Sequence, residues 1–480
     1  MINPRTVVGV ASAVLLLVLT GCGDPQPTVV SGRAVSMLYN PGRVGGLPAT
    51  DGPSGPRGAL PAVTARVQNS DGGVIDQLAE LAIDDIEDFW TQHFSESLSG
   101  TFQPVGTLVS YDSTDRRSPE ICGAETYQMI NAFFCPPKDL MAWDRGVMLA
   151  KGRKYFGDMS IAATLAHEYG HSVSYQADSV SRRTPTLVKE QQADCYAGVY
   201  LQWVAAGSSS RHTLSTGNGL NYLLAGLITL RDPISTDENY IDSSDAHGNA
   251  LDRVSAFQLG FDGGAESCAK IDADEVEQRR GDLPEHLFVE SAQSDLTIDA
   301  DVLATLMTQL GRIFGPADPP QLSTSPGSCS SGQRAEPAAY CAGSNTVVVD
   351  LPALQELSVP SDQSSMTELP NGDNTGLSIV TSRYVLAVQQ QRGVALESAS
   401  AALRTACLTG VAQRRMATAS ADDEMSLGGG DLDEAVTGLL VNGLAASDVN
   451  GNTVPAGFTR ILAFRSGLNS DADQCFARFP

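Results

Sequence analysis

Hydrophobic residues fall on a helical period in three stretches of this chain. Leu78, Ala82, Ile86, Phe89 and Trp90 mark one face of a helix that would pack on a core. Ile161, Ala162, Leu165 and Val173 do the same from Met159 to about Gln176, with Asp158 placed to cap the N-terminus. Thr184-Pro185 opens the next helix, with proline at the favoured first position, and Gly207 closes it. Val147 to Ala150 reads as a short strand ahead of these helices. Nearer the N-terminus the pattern changes. Val7 to Leu19 is almost unbroken apolar sequence, and residues 22–73 are rich in Gly, Pro and Ser, as expected of a flexible tether.

The second half repeats the first in weakened form. Cys122 and Cys135, followed by Asp144, are matched by Cys329 and Cys341, followed by Asp350. Gly157-Asp158 is matched by Gly372-Asp373, and the segment from Ala193 to Val199 by Thr405 to Val411. Arg253, Phe257, Gly260 and Cys268 keep their spacing as Arg460, Phe464, Gly467 and Cys475. Four correspondences in one order, separated by loop-sized insertions, point to an internal duplication. Each copy then holds one close and one distant cysteine pair: Cys122–Cys135 with Cys195–Cys268, and Cys329–Cys341 with Cys407–Cys475.

Composition narrows the class. At 480 residues, with 42% hydrophobic and 18% charged residues, the chain has material for two cores and is not a disordered acidic protein. A net charge of −25 disfavours nucleic acid as a partner. Arg5 and the apolar run, too short to span a bilayer comfortably, read as a signal peptide over residues 1–21. Leu19-Thr20-Gly21-Cys22 resembles a bacterial lipobox, which implies lipidation of Cys22 and attachment to the extracytoplasmic face of the cell membrane. The eight remaining cysteines suit that oxidising location.

The chemistry is concentrated in His167-Glu168-Tyr169-Gly170-His171. Histidines four apart on a helix project from one face, so both imidazoles can reach one metal ion. Glu168 can sit beside the remaining coordination position and take a proton from water. A catalytic zinc needs a third protein ligand. Glu190 and Asp194 on the following helix are both candidates, one binding the metal and the other orienting a histidine. Gly170, costly inside a helix, hints at close packing there.

From about Leu81 to Ala269 the chain resembles the neutral zinc metallopeptidases of bacteria. The likeness rests on Cys122-Gly123, Phe133 to Pro136, Gly157-Asp158, the HExxH, Glu190 to Cys195 with Ala197-Gly198, and His247-Gly248 leading into Arg253-Val254. The resemblance implies an α+β, mainly helical, zincin-like domain, here over residues 74–285. It implies Zn2+ held by His167, His171 and Glu190, Glu168 as general base, and Asp194 supporting a ligand. His247 is a candidate donor to the oxyanion, or a structural loop histidine. His93, His212 and His286 are expected on the surface. Ser172 stands where a further histidine often follows the motif, and the second half is unusual for the family.

Residues 286–480 then form a degenerate copy. Ser382, Arg383 and Leu386 replace the HExxH residues, while Ala402 and Ala406 replace Glu190 and Asp194. The function expected is hydrolysis of peptide or protein substrates in the cell envelope. The alternative is a non-catalytic cell-envelope binding or assembly lipoprotein with a structural or vestigial zinc site. Glu168 argues against that alternative, because a structural site has no use for a base.

Overall fold

The structure, a computed structural model, describes residues 28–30, 33–35, 40–232, 246–280, 283, 296–325, 329, 336–362, 365–418 and 425–480. The segment expected to be a signal peptide, Cys22 and His286 lie outside them.

The chain opens with two short hairpins, β1 (Thr28–Val30) with β2 (Arg33–Val35) and β3 (Arg43–Val44) with β4 (Leu47–Pro48). β5 (Gly55–Pro56), β6 (Val67–Gln68) and the long helix α1 (Val74–Ser97) follow. Next come β7 (Thr107–Tyr111), the ribbon β8 (Glu120–Ile121) and β9 (Ala124–Glu125), β10 (Ala132–Cys135) and β11 (Leu140–Asp144). The helices α2 (Met148–Phe156), α3 (Met159–Gln176) and α4 (Thr186–Ala205) lead to β12 (His212–Thr213). Four helices complete this half: α5 (Asn218–Thr229), α6 (Ala250–Gly263), α7 (Ala265–Ala269) and α8 (Ala273–Arg280). The main sheet runs β10-β11-β7-β6, parallel except for antiparallel β10, which pairs with β11 alone among the described strands.

The second half follows the same order. α9 (Ala300–Phe314) precedes β13 (Gln321–Ser323), β14 (Ala338–Cys341) and β15 (Thr346–Val349). β13 is parallel to β15 and β14 antiparallel to it, as β7 and β10 are to β11. α10 (Leu351–Leu357), α11 (Asp373–Gln391), α12 (Ala399–Ala417), α13 (Gly429–Val441), α14 (Gly457–Leu468) and α15 (Ala472–Arg478) complete it. The chain is therefore mainly helical α+β, as expected. All four cysteine pairs are within disulfide distance: Cys122–Cys135, Cys195–Cys268, Cys329–Cys341 and Cys407–Cys475.

The halves are not separate globules. One hydrophobic cluster runs through both, with Phe257 and Phe261 of α6 on one side and Phe458 and Leu439 on the other. The Phe261 and Phe458 rings lie 5.2 Å apart, and Gln258 Nε2 donates to the Phe458 carbonyl at 2.8 Å. The α5–α6 pair of the first half thus faces the α13–α14 pair of the second.

Several expectations need correction. Residues 40–73 are not a tether. β5 pairs with β12, β6 extends the main sheet beside β7, and the Asp84 carboxylate accepts from the Thr64 and Ala65 amides at 2.6 and 2.9 Å. A Gly- and Pro-rich segment with no core of its own can still order on a sheet edge that supplies backbone partners. Val147 to Ala150 is not a strand, because Val147 precedes α2. The strand ends at Asp144, whose carboxylate accepts from the amides of Gly146, Val147 and Met148 and so starts the helix. Asp158 does not cap α3 with its side chain, which pairs instead with Arg153 at 2.8 Å. Pro185 lies at the cap of α4, one residue before the helix. His212 is buried, its Nδ1 3.0 Å from Asp85, which also accepts from Tyr200 and Ser209. His93 is partly exposed beside Glu96.

α4 and α6 cross where glycine removes the side chain. A Cβ on Gly260 would lie 1.8 Å from the Cys195 carbonyl oxygen, closer than any contact allows. Gly260→Ala must separate the two helices, and overpacking of this kind costs about 1–3 kcal/mol. Calorimetry should record a lower unfolding midpoint for this variant under oxidising conditions. An unchanged midpoint would mean that the helices do not cross so closely.

Candidate metal centre

The HExxH segment lies in the middle of α3, so its two histidines sit one turn apart on the side facing α4. Gly170 lets the helices meet: a Cβ there would fall 2.7 Å from both Cα and O of Ala193. With the backbones this close, Glu190 and Asp194, one turn apart on α4, come level with the imidazoles. His167 Nε2 lies 3.2 Å from Glu190 Oε2, and His171 Nε2 lies 3.4 Å from Glu190 Oε1. One donor atom from each of His167, His171 and Glu190 falls within 4.8 Å of the others. Gly170 therefore meets the expectation of close packing.

Asp194 is placed differently. His167 Nδ1 lies 2.7 Å from Asp194 Oδ1, on the side of the ring away from Glu190. Arg253 from α6 donates to both Asp194 oxygens, at 2.9 and 2.8 Å, and donates to the Leu230 carbonyl at 2.5 Å. Asp194 is fully buried, and such a carboxylate is tolerable only when paired and hydrogen-bonded. The geometry separates the two acids that spacing left equivalent. Glu190 faces the converging Nε2 atoms, and Asp194 holds the ring.

These contacts set the protonation states. Burial would lower His167, but the Asp194 and Glu190 carboxylates outweigh it and hold the imidazole up at about 10. Burial pushes His171 down to about 4. Burial favours a protonated Glu190, yet the neighbouring histidines hold it below the usual carboxylate range. Glu168 is buried on the same helix, and burial raises its carboxyl to about 7 against the pull of His167.

A cavity of about 470 Å³ opens over these groups. Glu168 and His247 line it, as do Phe133 and Phe134 of the edge strand β10 and Phe156 and Leu227 from the helices. The His247 side chain is 43% exposed, with Nε2 3.9 Å from Glu190 Oε2 and Nδ1 3.5 Å from Asp232 Oδ1. Burial opposes a charged His247, but Asp232 and Glu190 raise its pKa above the ordinary value.

Sequence reasoning missed several contributors. Arg253 stood in a noted motif without a role, although a buried Asp194 requires a cation. Asp232 accepts from the His247 and Gly248 amides and carried no pattern of its own. Met366, from the second half, also lines the cavity.

The second half holds no such donor set at the corresponding place. Ser382 Oγ donates to the Ile379 carbonyl, Arg383 to Ala338 and Ser447, and Leu386, Ala402 and Ala406 are buried apolar residues. Asp373, Asp431 and Glu434 cluster nearby, but each accepts a backbone amide.

A family model described as "Putative neutral zinc metallopeptidase" matches residues 49–271, leaving the second half outside the match. No curated protein and no solved structure matches the chain. The residues present fit the zinc that this family implies. Two half-buried imidazoles and a buried carboxylate converge beside an open cavity, a donor set of the kind zinc takes.

A test follows from the protonation states. At pH 7 His171 is neutral and Glu190 ionised, while His167 carries a proton that a metal must displace. Zinc binding to the metal-free protein should therefore release at least about one proton, with more from Glu168 at about 7. Titration calorimetry in buffers of different ionisation enthalpy measures that number. Proton uptake, or none exchanged, would contradict the arrangement.

Proposed function

We propose that this protein is an extracytoplasmic, membrane-anchored zinc peptidase in which His167, His171 and Glu190 hold the metal and Glu168 is the general base. The observation that carries the reading is the convergence of those three donors beside a buried Glu168 in an open cavity. Zinc, when bound, would polarise a scissile carbonyl and lower the pKa of a water to about 7.

The chain's own groups do the rest. Glu168, raised to about 7 by burial, is poised to take a proton from water and return it to the leaving amine. Asp194 and Arg253 lock the His167 ring, which keeps its Nε2 aimed at the cavity. His247 reaches the same cavity with a raised pKa and can donate to an oxyanion. Among the described strands β10 pairs with β11 alone, so its outer edge can take up an extended peptide. Phe133, Phe134 and Phe156 favour apolar side chains in the bound segment.

We read the second half as a duplicate that has lost the chemistry. Beyond the shared element order, two contacts support this. Gly260 meets the Cys195 carbonyl as Gly467 meets that of Cys407, both at 1.8 Å from an added Cβ. Arg253 reaches the Leu230 carbonyl as Arg460 reaches that of Leu440. The Asp194 partner is gone, and burial without it pushes Arg460 down to about 10.

No described helix is long and apolar enough to cross a membrane, so attachment would rest on lipid at Cys22. Cys22→Ala should move the protein from the detergent phase to the aqueous phase in phase-separation assays. Unchanged partitioning would remove the anchor from this account.

The enzymatic reading is tested with Glu168→Gln. The variant should retain zinc and its near-ultraviolet circular dichroism yet lose at least about 100-fold in peptide cleavage, within the range attributed to general acid–base catalysis. Wild-type cleavage should stop on addition of a chelator and return with zinc. Full activity in Glu168→Gln, or a zinc-loaded wild type that cleaves no peptide library, would overturn the proposal.

A further inference from the structure

His247 owes its position to backbone anchors rather than to a helix. It lies between the end of α5, where Arg231 and Asp232 stand, and the start of α6 at Ala250. Asp232 accepts from the His247 amide at 2.8 and 3.0 Å and from the Gly248 amide at 2.6 Å, while its own amide donates to the Gly248 carbonyl. This pins Ala246–Asn249 to Asp232. Part of what pins that unit to the rest of the protein comes from the other half.

Asp433, on α13, is 1% exposed. One carboxylate oxygen lies 3.3 Å from Arg231 Nε, and the other accepts from the Ala250 amide at 3.0 Å. A single side chain from the second half therefore grips the residue before Asp232 and the first residue of α6, on both sides of His247. Arg231 is itself 8% exposed, so the pair is shielded from water. A second contact points the same way. Met366, between α10 and α11, enters the wall of the cavity.

We propose that the second half is a working part of the active site, with Asp433 a positioning residue that holds His247 over the cavity. This rests on the peptidase reading for its catalytic consequence, but not for its structural one. The structural consequence is a local tightening of Ala246–Ala250 by Asp433.

The test uses the whole zinc-loaded protein and two readouts. In Asp433→Ala, amides of residues 246–250 should exchange with deuterium at least about tenfold faster, because a local opening has become easier. Turnover of a peptide substrate should fall roughly 100-fold in kcat with KM and zinc content little changed, as misplacing a catalytic group can cost. The loss should match that of His247→Ala, and the double variant should fall no further. Asp433→Asn keeps an acceptor for the Ala250 amide, gives up the charge facing Arg231, and should fall in between. Thr459→Val breaks a different bond between the halves, to the Arg43 carbonyl, and should leave both readouts alone.

Unchanged exchange in both Asp433 variants overturns the proposal. So does a double variant whose losses multiply. If the wild type cleaves nothing, the peptidase reading fails on its own, and the exchange measurement still decides whether Asp433 positions this segment.

Discussion

The close crossing of α3 on α4 is the constraint from which the rest of the site follows. With no side chain on Gly170, the α3 backbone can rest against Ala193. Only at that separation can a carboxylate one turn before Ala193 stand within 3.4 Å of both imidazoles. The arrangement brings several charged and polar groups out of water, which is costly unless each is paired. Asp194 meets that cost by joining His167 on α3 to Arg253 on α6, so the same contacts that make burial tolerable tie three helices together. Val385 occupies the place of Gly170 in the second half, where no ligand set remains to be brought together.

Much of the site was legible because it depends on local spacing. His167 and His171 sit one helical turn apart, as do Glu190 and Asp194, and helix geometry alone puts each pair on one face. Which acid faces the metal side was not legible from the spacing. That depends on how α4 is rotated against α3 and on Arg253, 59 residues beyond Asp194. The cysteine pairs were readable because one close and one distant spacing occur twice along the chain.

Most of the misreadings share a physical cause, which is partners distant in sequence; Val147, whose partner lies three residues away, is the exception. His212 has no local pattern, yet Asp85, 127 residues away, makes its burial possible. Residues 40–73 carry the composition of a linker, but β5 and β6 find strands elsewhere to complete their hydrogen bonds. Val147 has the side chain of a strand residue, but Asp144 offers its carboxylate to the next amides and turns the chain into a helix. The contribution of the second half was illegible for the same reason, since Asp433 and Met366 carry no motif.

Taken together, the molecule is two halves of similar element order joined across helix pairs, with the His167, His171 and Glu190 cluster on one side. The central claim is that α3 and α4 bring two imidazoles and one carboxylate to a single zinc. X-ray absorption at the zinc edge of the purified protein tests it most directly. The account predicts two imidazole nitrogens and further oxygen at about 2.0–2.2 Å with no sulfur, and loss of an oxygen contribution in Glu190→Ala. A sulfur-dominated spectrum, or one unchanged in Glu190→Ala, would contradict it.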